Sequence, residues 1–163
     1  MVELAVSCEQ VLDWLKDVPD PEIPVLTIAD LGIVRGVTVN DGIVVELAPT
    51  YSGCPATEVI EQSVIDALTR HGVEDVTIKR VLSPPWTTDW ISDEGRDKLR
   101  EYGIAPPARS ASKRELLHAS RAIACPRCDS LNTEVVSEFG STACKASYKC
   151  SDCLEPFEYF KCI

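Results

Sequence analysis

Residues 33–72 read IVRGVTVNDGIVVELAPTYSGCPATEVIEQSVIDALTRHG, and the change of hydrophobic period inside this stretch decides the fold of the first half of the chain. IVRGVTV and IVVELAP are short β-branched runs on either side of Asn40-Asp41-Gly42. They predict a hairpin, with Asp-Gly expected to supply the positive φ angles of a tight turn. From Pro55 the apolar residues respace to Val59, Ile60, Val64, Ile65 and Leu68, an amphipathic helix with Pro55 in its first turn and Gly72 at its end.

Working outward, SCEQVLDWLKDV places Leu4, Val11, Leu12 and Leu15 at near-helical spacing, with Ser7 as N-cap and Pro19 as the stop. DPEIPVLTIADLG, residues 20–32, carries two prolines and a terminal glycine, which predict an irregular but ordered connector. Downstream, VTIKRVL supplies a third strand. Residues 1–82 are therefore expected to form a helix, hairpin, helix, strand unit of the α+β class, its sheet covered on one face. Residues 83–121 read as an extension and linker. Within them Trp86 and Trp90 precede a short helix capped by Ser92, with Asp93 and Glu94 in its first turn and Pro106 and Pro107 as its stop. ARSASKRELLHASRAIA then reads as polar linker with one short helix.

The chain has 163 residues, enough for one modest core plus a small domain stapled by something other than apolar packing. Eight cysteines point to that staple, because only Cys8 and Cys54 precede residue 122. The net charge of −10, from 26 acidic and 16 basic residues, repels phosphate backbones and argues against nucleic acid as a partner. The first twenty residues lack the charge and apolar pattern of a signal peptide, and no run is long enough for a membrane helix. The expectation is a cytoplasmic protein, where thiols stay reduced and paired cysteines read as metal sites before disulfides.

Cys125-Pro-Arg-Cys128 and Cys150-Ser-Asp-Cys153 are two CxxC knuckles. Each brings two thiolates to one ion, and together they complete a four-sulfur tetrahedral shell. TEVVSEFG and ACKASYKC between them predict the hairpin of a zinc-ribbon-like module over 122–163. So short a module needs coordination to fold. Structural zinc is the first reading and an iron–sulfur cluster the second, since Cys₄ shells hold both. Cys144 and Cys162 stand outside the pairs, either as packed thiols or as extra ligands. Neither knuckle sits in a βαβ pattern, which argues against a thioredoxin-like role. Phe157, Tyr159 and Phe160 beside the second knuckle serve either the module's small core or docking.

Cys54 falls at the mouth of the second helix, where amides and the dipole favour a thiolate, so it is open to two readings, a buried cap residue or a metal or cluster ligand. Asp20, Glu22 and Asp30 read first as turn and capping residues and second as carboxylates gathered near Cys54. His71, before Gly72, suits a helix C-terminus, and His118 lies in the linker. With no ExxH pattern, neither a hydrolytic dyad nor a di-iron carboxylate site is visible.

DPEIPVLTIADLGIV and LAPTYSGCPATEVIE resemble the domain of SufT-like iron–sulfur assembly proteins, over about residues 7–82. Together with WTTDWISDEGRDKLREYGIAPP and the cysteine-rich end, the whole chain is similar to the PaaD family, components of bacterial phenylacetyl-CoA epoxidases. The resemblance implies an accessory component without catalytic activity of its own, which assists maturation or delivery of an iron or iron–sulfur centre. It carries the assembly family's reactive cysteine onto Cys54 and its acids onto Asp20 and Glu22, with a transient cluster at Cys54. It implies oxygenase and reductase subunits as partners, and a homodimer. The alternative is a non-catalytic, zinc-stabilised interaction module that docks on the oxygenase subunits.

Overall fold

The cap expected at position 7 is in place in the computed structural model, which describes residues 6–107 and 122–161. The Ser7 hydroxyl accepts from the Gln10 N–H and the Gln10 side chain accepts from the Ser7 N–H, a reciprocal capping box that opens α1, Cys8–Leu15. α1 buries Val11 and Leu15, whereas Leu12 faces solvent. The helix stops at Leu15 with Lys16 as its C-cap, ahead of Pro19. Leu4 lies outside the described residues.

The chain divides into two compact units, Met1–Trp86 and Thr87–Ile163. In the first, β1 (Val34–Val39) and β2 (Ile43–Leu47) form the expected antiparallel hairpin. Its turn differs from the expectation, since Gly42 is not among the residues with positive φ. The glycine leaves room instead: a Cβ there would lie 2.8 Å from Oδ2 of the exposed Asp75 and 3.3 Å from the Asp75 carbonyl, which accepts the Ile43 N–H. α2 runs Thr57–Arg70 and returns the chain to β3 (Val76–Arg80), which lies parallel to β2, giving the order β1-β2-β3. β2 alternates buried Ile43, Val45 and Leu47 with half-buried Val44 and Glu46, so one face of the sheet is covered and the other carries polar pairs such as Lys79–Glu46 at 2.7 Å. The buried stripe of α2 is Ile60, Val64, Ala67 and Leu68. Val59 points outward, because it sits a quarter turn off that stripe. Gly72, at φ 84°, ends the helix.

The connector from Asp20 to Gly32 is irregular and ordered, and it supplies much of the core. Ile23, Leu26, Ile28 and Leu31 are all buried, each worth about 1.5–3 kcal/mol of apolar burial. The Trp86 indole closes over it, donating to the Leu31 carbonyl at 2.7 Å.

In the second unit a 3-10 turn at Thr88–Trp90 leads to α3, Asp93–Glu101, capped by Ser92 as expected. Gly103, at φ 89°, terminates it before the two prolines are reached. The two residues that follow form β4, Ile104–Ala105. The Arg96 guanidinium ties this region together by donating to the carbonyls of Thr88 and Pro107. β5 (Thr133–Ser137) and β6 (Lys145–Cys150) make the expected hairpin, and two further strands join it. β7 (Pro156–Phe160) pairs antiparallel with β6 and parallel with β4, so the sheet reads β4-β7-β6-β5. Ala105, Cys125, Cys150 and Phe157 form its buried cluster, with Ile123, Tyr148 and Tyr159 packed against it. Phe157 and Phe160 are thus core residues and not surface anchors. Near the β5–β6 loop, buried Lys145 pairs with Glu158 at 2.9 Å, and Glu158 also accepts the Ser141 N–H. Burial would raise that carboxyl, but the Ser141 amide and Lys145 outweigh it and hold it below the usual carboxylate range.

Candidate metal centre

The two CxxC knuckles are built alike. In the first, the Cys125 N–H donates to the Ser130 carbonyl; in the second, the Cys150 N–H donates to the Glu155 carbonyl, both at 2.9 Å. The residue after each second cysteine is left-handed, Asp129 at φ 61° and Leu154 at φ 63°. That conformation is uncommon for a leucine and turns the backbone sharply enough to aim both thiols of a knuckle at one point. The Asp152 carboxylate bridges the knuckles, accepting from Ser130 Oγ and from Asn132 Nδ2 at 2.9 Å, which together lower its pKa. Arg127 and Glu155 form an ion pair across the same gap.

The result is four sulfurs within 4.8 Å of one another. Cys125 Sγ lies 3.7 Å from Cys153 Sγ, and Cys128 Sγ 3.6 Å from Cys150 Sγ. Sulfurs placed about 2.3 Å from a central zinc at tetrahedral corners are roughly 3.8 Å apart, so the donor set fits one ion. The thiols also perturb one another as crowded acids must. The Cys153 N–H draws Cys150 down to about 7 against burial, helped by the Asp152 N–H and by neighbouring thiols. A Ser130 amide favours the Cys128 thiolate, yet the thiols of Cys153, Cys150 and Cys125, with desolvation, push it up to about 12. Four thiolates this close need a cation between them.

Among the described residues this is the one place where three or more Cys, His, Asp or Glu ligand atoms converge. Cys144 is buried with its sulfur 3.0 Å from Thr142 Oγ1 and is not part of the group. Cys162 and His118 lie outside the described residues. Asp20 is buried, and its carboxylate accepts the N–H groups of Glu22 at 2.9 Å and Ile23 at 2.7 Å. Asp30 exchanges hydrogen bonds with Thr27. His71 caps α2 and stacks on Trp14, ring centroids 4.3 Å apart and nearly parallel. Helix α2 begins at Thr57 with Ala56 as its cap, so Pro55 lies before the first turn and Cys54 sits in a turn of its own, its carbonyl accepting the Thr57 N–H. Cys54 is half-buried in an open groove of about 490 Å³ whose lining includes Ser52, Glu58, Arg80 and Leu82. Arg80 is held there by both oxygens of Glu61.

Residues 109–161 match the family model of the PaaD zinc beta ribbon domain, and residues 8–79 that of the iron-sulfur cluster assembly protein. A protein of Escherichia coli (strain K12), provisionally named as the D subunit of 1,2-phenylacetyl-CoA epoxidase, is 53% identical over 150 residues, spanning 91% of this chain and 89% of that one. The chain belongs to the PaaD family of phenylacetyl-CoA epoxidase components. The first half of this PaaD-family chain is also 36% identical, over 87 residues, to the Fe-S protein maturation auxiliary factor YitW of Bacillus subtilis (strain 168), covering 52% of the chain and 84% of the relative. Two solved structures share its fold. A DUF59 domain from Bacillus anthracis matches with TM-score 0.53 at 27% identity, covering 56% of this chain and 90% of its own. A conserved hypothetical protein from Thermotoga maritima matches with TM-score 0.50 at 32% identity, covering 58% and 94%.

The PaaD-family reading, the α+β unit and the four-cysteine ribbon thus all hold. The cluster and the ribbon match support metal binding. Sequence reasoning missed Asp129, Leu154 and Asp152, which shape the knuckles and add no sulfur to the shell. Among the described residues no helix is long and apolar enough to cross a membrane.

Proposed function

We propose that this chain is an accessory component of a phenylacetyl-CoA epoxidase that helps to mature or deliver an iron or iron–sulfur centre, and that Cys125, Cys128, Cys150 and Cys153 hold one zinc ion. The observation that carries this is a division among the thiols. Four converge at the spacing of a single tetrahedral ion, while Cys54 lies outside that group in an open groove of the assembly-like half. An iron–sulfur cluster interposes several irons and sulfides and so spreads its thiolates further than one ion does. A closed four-sulfur zinc shell has no open position for chemistry and serves folding. The exchangeable cargo is therefore assigned to Cys54, with Asp20 shaping the turn beside Glu22, the second acid of the proposed cargo site.

The partners are oxygenase and reductase subunits of the epoxidase, and the assembly-like half pairs as a homodimer, a point that light scattering tests. Two measurements decide the reading. Anaerobic purification is expected to yield a colourless chain with one zinc. Co-production with the oxygenase subunits is expected to show lower oxygenase iron content with Cys54→Ser than with the unmodified chain; equal iron content refutes delivery.

A second reading, a zinc-folded docking module, is favoured by the exposed apolar residues Leu131, Val135, Val136 and Phe139 on and around the edge strand β5. In that case oxygenase capture survives Cys54→Ser and fails with Val136→Asp combined with Phe139→Asp.

A further inference from the structure

The four sulfurs of the ribbon are unequally protected. Cys125 and Cys150 are fully buried and Cys153 is half-buried, whereas Cys128 is exposed. Oxidation of a coordinating thiolate follows its access to solvent as well as its charge. A small oxidant diffusing to the ribbon therefore meets Cys128 first. Cys150 Sγ waits 3.6 Å away on the opposite knuckle. A disulfide bond is about 2.05 Å long, so closure needs the two sulfurs to approach by about 1.5 Å. The knuckles are already tied to each other by the bonds from Ser130 and Asn132 to Asp152, which keep that pair facing.

We propose that Cys128 is a site of reversible oxidation by hydrogen peroxide, resolved across the knuckles as a Cys128–Cys150 disulfide that expels the metal. This rests on the reading of the four cysteines as a zinc centre. In the first step the Cys128 thiolate attacks one peroxide oxygen; an S–O bond forms, the O–O bond breaks and hydroxide leaves, giving a sulfenic acid. In the second, the Cys150 thiolate attacks that sulfur; the S–S bond forms, the S–O bond breaks and a second hydroxide leaves. Two thiolates have lost two electrons, one peroxide has gained them, and two protons from solvent convert the hydroxides to water. Two of four donors are thereby withdrawn, and the remaining Cys125–Cys153 pair, at 3.7 Å, can close with a second peroxide. A dithiol reductant reverses both bonds. The ribbon thus couples its own folding to the peroxide level around it.

The test uses the full chain loaded anaerobically with zinc, treated with one equivalent of hydrogen peroxide in the presence of a chromogenic zinc chelator, then alkylated and mapped by mass spectrometry. Trypsin cleaves after Arg127 and Lys149, so a cross-knuckle bond joins two peptides, and fragmentation separates Cys128 from Cys144 and Cys150 from Cys153. Zinc release in step with a Cys128–Cys150 link, with Cys125 still alkylated, supports the proposal, as does recovery of zinc binding after dithiothreitol. Zinc retained under tenfold excess peroxide, or released with Cys125–Cys128 or Cys150–Cys153 bonds, overturns it. A Cys8→Ser, Cys54→Ser double variant is expected to release zinc as the parent does; a loss of release there reroutes the oxidation and also overturns it. Should the untreated chain take up no zinc, the centre itself fails, an outcome separate from the others.

Discussion

Removing the metal is expected to unfold the ribbon and spare the first unit. Within residues 122–161 the large apolar side chains that are buried are Phe157 and Phe160, worth about 1.5–3 kcal/mol apiece, while each residue ordered costs about 1–2 kcal/mol of backbone entropy. A structural zinc contributes about 10–16 kcal/mol in small Cys/His modules. That is as large as the net stability of an ordinary domain, about 5–15 kcal/mol, so the ribbon has no reserve once the ion is gone. The first unit has an apolar core of its own, with Val11, Leu15, Leu26, Ile28, Val45 and Leu68 all essentially inaccessible. Hydrogen exchange read by mass spectrometry, with and without a strong chelator, distinguishes the two. Amides of β6 and β7 are expected to exchange at the rate of an unfolded chain after chelation, and those of β2 to stay protected. If β6 and β7 keep their protection while metal analysis shows the ion removed, apolar packing alone holds the ribbon and the metal is not its staple.

Five other substitutions probe separate parts of the molecule. Cys150→Ser is expected to abolish stoichiometric zinc binding and Cys144→Ser to leave it intact, as counted by metal analysis of the purified chains. Leu68→Ala, on the buried stripe of α2, is expected to cost about 2–5 kcal/mol in urea denaturation of the first unit. Gly42→Ala brings a Cβ within 2.8 Å of Asp75 Oδ2 and 3.3 Å of its carbonyl, with an expected loss of about 1–3 kcal/mol in the same assay. Glu158, held below its ordinary pKa, stabilises the fold above the unfolded value, and that contribution fades as pH falls through the folded value. The melting-temperature gap between the parent and Glu158→Gln should be full at neutral pH and shrink in acid; a gap that does not change with pH rules out the pairing with Lys145.

Much of this was legible in the residues because local chemistry and tertiary demand agree. The switch from alternating to helical spacing around Cys54 located β1, β2 and α2, and the CxxC spacing located the knuckles. Where tertiary demand took over, the signal faded. Gly42 reads as a turn residue, but the crowding a side chain would meet there comes from Asp75, which lies 33 positions further on. Leu12 and Val59 belong to apolar stripes by spacing and face solvent, since spacing cannot say which part of a wide stripe the neighbour covers. β4 is two residues long, next to Pro106, and β7 opens on Pro156, both marks that argue against a strand until the partner strand is known. Leu154 gives no hint of its left-handed backbone, which the knuckle's turn imposes. The groove around Cys54 gathers side chains from before α2, from α2 itself and from β3 onward, and a linear reading cannot bring them together.

The pairing of β4 with β7 bears on how the ribbon should be handled as a fragment. A piece cut to the ribbon's family match, starting at residue 109, would discard Ile104 and Ala105 and leave β7 with a bare hydrogen-bonding edge. Such an edge invites another molecule to supply the missing strand, so the truncated piece should form soluble oligomers or precipitate. Starting the piece at Thr87 would keep the native seam closed.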